Sequence, residues 1–175
     1  MTSRPLNTEY AEYFAGYVAL VPEPEILQVL EKQQEELRRL GGSVASARET
    51  FRYSPEKWSV RQVFGHLIDA ERVFAYRAFC ISRGESAPLP SFDENPYVAN
   101  SRYDERPLRD ILSELTDLRK ANLQFWGWLT DKDWLREGTA GSNRVSVRAL
   151  AFITAGHVRH HMNILRDRYD ISLRS

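Results

Sequence analysis

Four long stretches of the chain repeat their apolar positions every three or four residues, the period of a helix that buries one face. The first begins in VPEPEILQVLEKQQEELRRLGG and brings Ile26, Leu30, Leu37 and Leu40 to one side, with Gln33 in the remaining slot. Pro24 suits its first turn, and Gly41-Gly42 after the basic Arg38-Arg39 predict its end. The second opens at SPEKWSVRQVFGHL, where Ser59 and Gln62 form a capping-box pair beside Trp58. Its stripe is Val63, Leu67, Ala70, Phe74 and Ile81, and Gly84 predicts its stop. The third, ERPLRDILSELTDLRKANLQFWGWL, has Pro107 at a plausible first position. It aligns Leu108, Ile111, Leu115, Leu118 and Leu129, with Trp126 flanking that face. The fourth, NRVSVRALAFITAGHVRHHMNILRDRY, has Ser146 as its expected N-cap. Val147, Leu150, Thr154, His157, His161, Ile164 and Arg168 recur along it at helical spacing.

What lies between these segments bears on topology. Before the first, TEYAEYFAGYVALV reads as a short aromatic-rich helix or a packed arm. No stretch sustains the alternation of a strand, although NRVSV suits a brief extended piece, and the turn from about Gly138 to Asn143 suits a tight return. Between the second and third helices lies GESAPLPSFDENPYVANSRYDERP, rich in Pro, Asn and Asp. A helix of two dozen residues is ~36 Å long, and a loop of that size extends to ~75 Å. The connection can therefore run back along the bundle and leave the second and third helices parallel. The predicted fold is all-α, a four-helix bundle with one long crossover, in a single domain over 1–175.

Composition narrows the class. The 175 residues are 42% hydrophobic and 27% charged, as in ordinary globular proteins. Twenty-four Lys and Arg balance 24 Asp and Glu, which argues against nucleic acid as a main partner. The single cysteine, Cys80, forms no internal disulfide and sits mid-helix, where packing is its expected role. MTSRPLNTEYAEYF lacks the apolar core of a signal peptide, and no run approaches the ~20 apolar residues of a membrane span. A cytoplasmic protein with no membrane partner and a small-molecule substrate is expected.

Three of the four histidines fall within AGHVRHHMNIL. Residues four apart on a helix share a side, so His157 and His161 form a two-ligand pincer, whereas His160 projects about 100° from His161. Both pincer residues continue the stripe of Leu150 and Ile164 and should face inward. The remaining histidine, His66, shares its helix side with Val63, Ala70 and Val73 and should also face inward. Three inward imidazoles on two helices match the catalytic format of zinc, three protein ligands and one open position. The competing reading is that these histidines simply fill the core, and spacing leaves both open. Val158 after His157 excludes the HExxH pattern, and no glutamate stands three residues before any histidine, so the ExxH ligands of di-iron bundles are absent. No P-loop, dinucleotide fingerprint or nucleophile elbow occurs. Asp69 is placed to accept a ligand N–H, though an exposed aspartate is the simpler expectation. Arg72 and Arg159 suit either an anionic substrate or a solvated helix face.

The segments KWSVRQVFGHLIDAERVFAYRA, PLPSFDENPYV and VSVRALAFITAGHVRHHMNIL, in that order, resemble the DinB-like superfamily with its YfiT-type metal-dependent hydrolases. The resemblance covers nearly the whole chain. It implies an up-down-down-up four-helix bundle and a divalent metal, zinc or nickel, on His66, His157 and His161. His160 fills a position where members often carry a second histidine that is not a usual ligand; a proton relay is the only catalytic role suggested for it. Better-studied relatives transfer or isomerise with a low-molecular-weight thiol as cosubstrate, and homodimers are frequent. The resemblance thus implies a thiol S-transferase, with metal-dependent hydrolysis or non-enzymatic binding of a metal or small molecule as the alternatives.

Overall fold

In the computed structural model, which describes residues 3–172, two of the long helices begin at the serine caps their sequence predicts. Ser59 accepts a hydrogen bond from the Gln62 backbone N–H at 3.1 Å, and its own N–H donates to the Gln62 side chain at 3.0 Å. This exchange satisfies donors that a helix start leaves unpaired. From it runs the second long helix, Val60–Ser82. Ser146 accepts from the Ala149 N–H at 2.9 Å and opens the last, Val147–Tyr169. In chain order the helices are α1 (Ala15–Ala19), α2 (Ile26–Gly42), α3 (Val60–Ser82), α4 (Glu94–Ala99), α5 (Leu108–Gly127), α6 (Asp131–Trp134) and α7 (Val147–Tyr169). A two-stranded antiparallel hairpin, β1 (Glu137–Ala140) and β2 (Asn143–Ser146), precedes α7.

Helix directions follow from which ends meet. Arg61, at the start of α3, donates to the Asp104 carbonyl just before α5, and Phe79, near the end of α3, packs on Phe125 near the end of α5. These two helices are parallel. The Tyr169 hydroxyl, in the last turn of α7, donates to the Trp58 carbonyl just before α3, so α7 runs opposite to α3. Gln34 donates to the Thr116 carbonyl and Arg119 to the Leu30 carbonyl, so α2 runs opposite to α5. The four long helices therefore run up, down, down, up, the arrangement that the long connection permits. That connection is not plain loop: it carries α4 and a 3-10 turn at Tyr103–Glu105.

α2 ends at Gly42, within the glycine pair that the sequence marks, and Gly41 lies against Leu112 of α5, where any Cβ would overlap that side chain. Several local expectations need correction. Pro24 and Pro107 lie just outside their helices. Trp126 is buried in the core rather than flanking it, while Leu129 lies beyond the end of α5. The presumed return before α7 is a β-hairpin that turns at Gly141-Ser142. On α7 the buried stripe shifts to Leu165 and Tyr169, leaving Ile164 half-buried and Arg168 exposed.

α7 is not half-buried but central: from Val147 to Val158 every residue except Arg148 is buried. A helix apolar on all sides needs cover on all sides. The segment ahead of α2 supplies the missing side. Its Ala11 N–H donates to the Arg144 carbonyl at 3.1 Å, Ser146 donates to Glu9 at 2.8 Å, and Arg159 donates to the Leu20 carbonyl at 2.8 Å. Gly156 lies where α1 crosses α7, and a Cβ there would strike the backbone carbonyl of Tyr17.

The apolar interior forms two clusters. One holds Ala70, Phe74, Leu150 and Ala155; the other holds Val63, Leu67, Val158 and Leu165. On α7 the boundary between them falls at His157, and on α3 it falls at Asp69, just beyond His66. Further along α3, Glu71 takes two hydrogen bonds from Arg119 at 2.8 and 2.7 Å and one from Asn122 at 3.0 Å. Among the described residues no helix is long and apolar enough to cross a membrane.

Candidate metal centre

Helix period alone turns His157 and His161 to one side of α7, and the antiparallel packing of α3 brings His66 to the same level. All three are buried, with 2%, 6% and 8% of the surface of His66, His157 and His161 exposed. The Nε2 atom of His157 lies 3.0 Å from Nε2 of His66 and 3.2 Å from Nε2 of His161. The ligand nitrogens of the three rings are all within 4.8 Å of one another. The pincer and the third histidine thus meet at one point, as their helix faces predict.

Hydrogen bonding cannot account for this convergence. A ring nitrogen has either one proton or one lone pair, so Nε2 of His157 can complete only one of its two contacts well. A shared cation satisfies all three lone pairs together. With Zn–N bonds of 2.0–2.1 Å, tetrahedral ligand nitrogens stand about 3.3 Å apart, close to the two separations found. Burial also keeps the rings in the form a metal needs. It pulls the His66 imidazole down to about 4, with His160 adding a smaller push. Burial likewise holds His157 and His161 well below the usual histidine range, reinforced by their neighbouring rings. Three neutral imidazoles are competent donors at neutral pH.

The rings are held by packing rather than by carboxylates. Trp58 lies over His66 with centroids 4.7 Å apart, Phe92 stacks on its other side at 6.2 Å, and Phe74 meets His157 edge-on at 5.5 Å. The Nδ1 atoms of His66 and His161 are buried with no hydrogen-bond partner among the described residues. Asp69 does not serve them: it is half-buried and accepts from the Tyr103 hydroxyl at 2.7 Å. Unpaired buried polar atoms call for a compensating ligand or solvent.

The cluster forms part of the wall of a cleft of about 240 Å³, whose wall also includes Tyr17, Trp58, Phe92, Arg77 and Glu94. His160 borders the same cleft. Its half-buried ring is 5.1 Å from that of His161 and 5.6 Å from that of Tyr17, and burial lowers its pKa. Other candidates fall away from this site. Arg72 pairs with Glu114 and Arg159 with Glu23, and Cys80 packs half-buried against the core. The sequence reading overlooked Arg77. Eleven residues after His66 is three turns plus 20°, so helix period already placed it on the histidine face.

The sequence model of the DinB superfamily matches residues 29–165. Among solved structures, YfiT from Bacillus subtilis, a probable metal-dependent hydrolase with an unusual four-helix bundle topology, is similar with a TM-score of 0.71. The match is at 20% identity and covers 85% of this chain and 87% of that one. A DinB-like protein from Bacillus subtilis has a TM-score of 0.58 at 19% identity, covering 81% of this chain and 86% of its own. A mycothiol-dependent maleylpyruvate isomerase has a TM-score of 0.64 at 16% identity, over 78% of this chain and 57% of the isomerase. A comparison with curated proteins finds no match.

Proposed function

The chain belongs to the DinB superfamily, and from that premise we propose that it is a divalent-metal-dependent enzyme whose ion, zinc or nickel, is held by His66, His157 and His161. The observation that carries this reading is the meeting of three buried Nε2 atoms, 3.0 and 3.2 Å apart, on the wall of a cleft. A divalent ion held there supplies Lewis acidity, making a water or thiol in its open position more acidic.

The reaction we assign is transfer of a low-molecular-weight thiol to a small electrophile. The thiol gives up its proton, its sulfur bonds to the electrophilic carbon, and the leaving group departs with the electron pair of the broken bond. A thiol ionises near pH 8.5 and bulk water only near 15.7, so the thiol needs far less help. No carboxylate is hydrogen-bonded to any of the three rings among the described residues, although Glu94 stands in the wall of the same cleft. The chain's own contributions are an aromatic enclosure that excludes solvent, from Trp58 and Phe92, and His160 at the rim to carry the released proton outward. The likeness to YfiT favours hydrolysis as the second reading.

The test uses metal-loaded protein with a panel of alkyl halides, epoxides and esters, each with and without thiol. Turnover only with thiol supports transfer, and turnover without thiol supports the hydrolase. Full metal loading with no turnover on any pair would leave a metal- or small-molecule-binding protein. In tag-free protein, His161→Ala should abolish stoichiometric metal binding and His160→Gln should keep it. Wild-type protein that takes up no ion would return the cluster to core filling.

A further inference from the structure

Arg77 stands on the face of α3 that carries His66, three turns further along. It is 6% exposed, yet it lines the histidine cleft. The one other arginine buried as fully, Arg119, is matched to a carboxylate, Glu71. Among the described residues Arg77 has no such partner. Its one hydrogen bond among the described residues is to the Pro90 carbonyl at 2.8 Å. That bond uses one of the five N–H groups of the guanidinium. Burial works against its charge, and its pKa is lowered accordingly. A charge taken out of water without a counterion is costly unless a ligand brings one.

The position of that charge has a direction. An arginine leans toward the N-terminal end of its own helix, here toward His66. The Cα atoms of the two residues are about 16 Å apart along the axis. Phe74 lies between them on the same stripe, and Phe92 and Trp58 line the same cleft. The cleft wall therefore combines a guanidinium, aromatic rings and the imidazole cluster, with Glu94 and several small polar side chains beside them.

Resting on the metal-site reading above, we propose that Arg77 binds the carboxylate of a small organic acid whose reacting end lies at the histidine cluster. Carboxylate fits the planar guanidinium fork better than a spherical anion, because two parallel N–H bonds can form. Either the electrophile or the thiol can carry this group.

The experiment compares 4-phenylbutyrate with 4-phenylbutyramide, equal in shape and different in charge, by calorimetric titration of wild-type, Arg77→Gln and Arg77→Lys proteins. Each protein is used both metal-free and zinc-loaded. Metal-free wild type should bind the acid about tenfold tighter than the amide. Arg77→Gln should lose the preference and Arg77→Lys should keep only part of it, with zinc stoichiometry unchanged in both. A second pair, 3-mercaptopropionate against 3-mercaptopropionamide in zinc-loaded protein, identifies the carrier. Preference within this pair assigns the carboxylate to the thiol; preference only within the first pair assigns it to the electrophile. Equal affinity for acid and amide in wild type overturns the proposal, as does a folded Arg77→Gln protein that keeps the preference. If Arg77→Gln fails to fold, an undiminished preference in Arg77→Lys overturns it instead. Acid preference in a protein that takes up no zinc would remove the metal reading and leave the carboxylate site standing.

Discussion

Replacing Arg119 with methionine removes one half of the best-buried ion pair in the protein. The side chains of Arg119 and Glu71 are 1% and 2% exposed. Arg119 donates twice to Glu71, at 2.8 and 2.7 Å, and once to the Leu30 carbonyl at 3.0 Å, tying α5 to both α3 and α2. After Arg119→Met the Glu71 carboxylate keeps only the Asn122 amide at 3.0 Å, and the Leu30 carbonyl loses its side-chain donor. Leaving one buried charge without its partner costs about 3–5 kcal/mol. For a chain of this size that lowers the melting temperature by about 6–20 °C. Glu71→Leu combined with Arg119→Met should recover most of the loss, because no orphan charge remains, although the Leu30 carbonyl and Asn122 stay unpaired. Urea unfolding followed by far-ultraviolet circular dichroism on wild type, both single variants and the double variant closes the cycle. Metal stoichiometry should not change, since neither residue bonds to the histidines. An Arg119→Met loss below about 1 kcal/mol would refute the reasoning, as would single-variant losses that simply add.

The metal-free protein should lose stability as pH falls from 6.5. An unfolded histidine takes its proton near 6.5 and folded His66 only near about 4, so between those values the unfolded chain holds more protons and acid favours it. His66 alone accounts for about 1.4 kcal/mol per pH unit, or about 3 kcal/mol by pH 4, with His157 and His161 acting in the same direction. Equal urea midpoints at pH 7 and pH 5 would contradict neutral burial of the rings. Gly156→Ala forces a methyl against the Tyr17 carbonyl and should cost about 1–3 kcal/mol by lifting α1 from α7, read as a lower thermal midpoint. Ser59→Ala removes the cap of α3 along with a bond to Asp104, and about 1–2 kcal/mol should disappear in the same assay.

The relation between sequence and structure differs from element to element. Ser59, Gln62 and Ser146 act on backbone groups three residues away, so their caps were readable in the chain. The His157–His161 pincer depends only on helix period, and His66 faces the core for the same reason. Gly41 and Gly42 mark the end of α2 in the sequence, and the fold adds what the sequence does not show, that Gly41 is where α5 comes close. NRVSV announced a brief extended piece, and β2 runs Asn143–Ser146, but residues 137–140 carry too little alternation to announce the partner strand. The two strands pair because Leu89 donates to the Thr139 carbonyl and the segment before α1 bridges at Val145.

Local spacing therefore determined the helices, their caps, the parallel crossover and the three inward imidazoles, since each depends on contacts within a few turns or on chain length. Tertiary packing alone decided that α7 is covered on every side and that Arg119 meets Glu71, 48 positions away. It also left Arg77 buried beside the cleft without an ion pair among the described residues. Whether a charge is matched depends on which distant surface folds against it, and short-range periodicity has no knowledge of that surface.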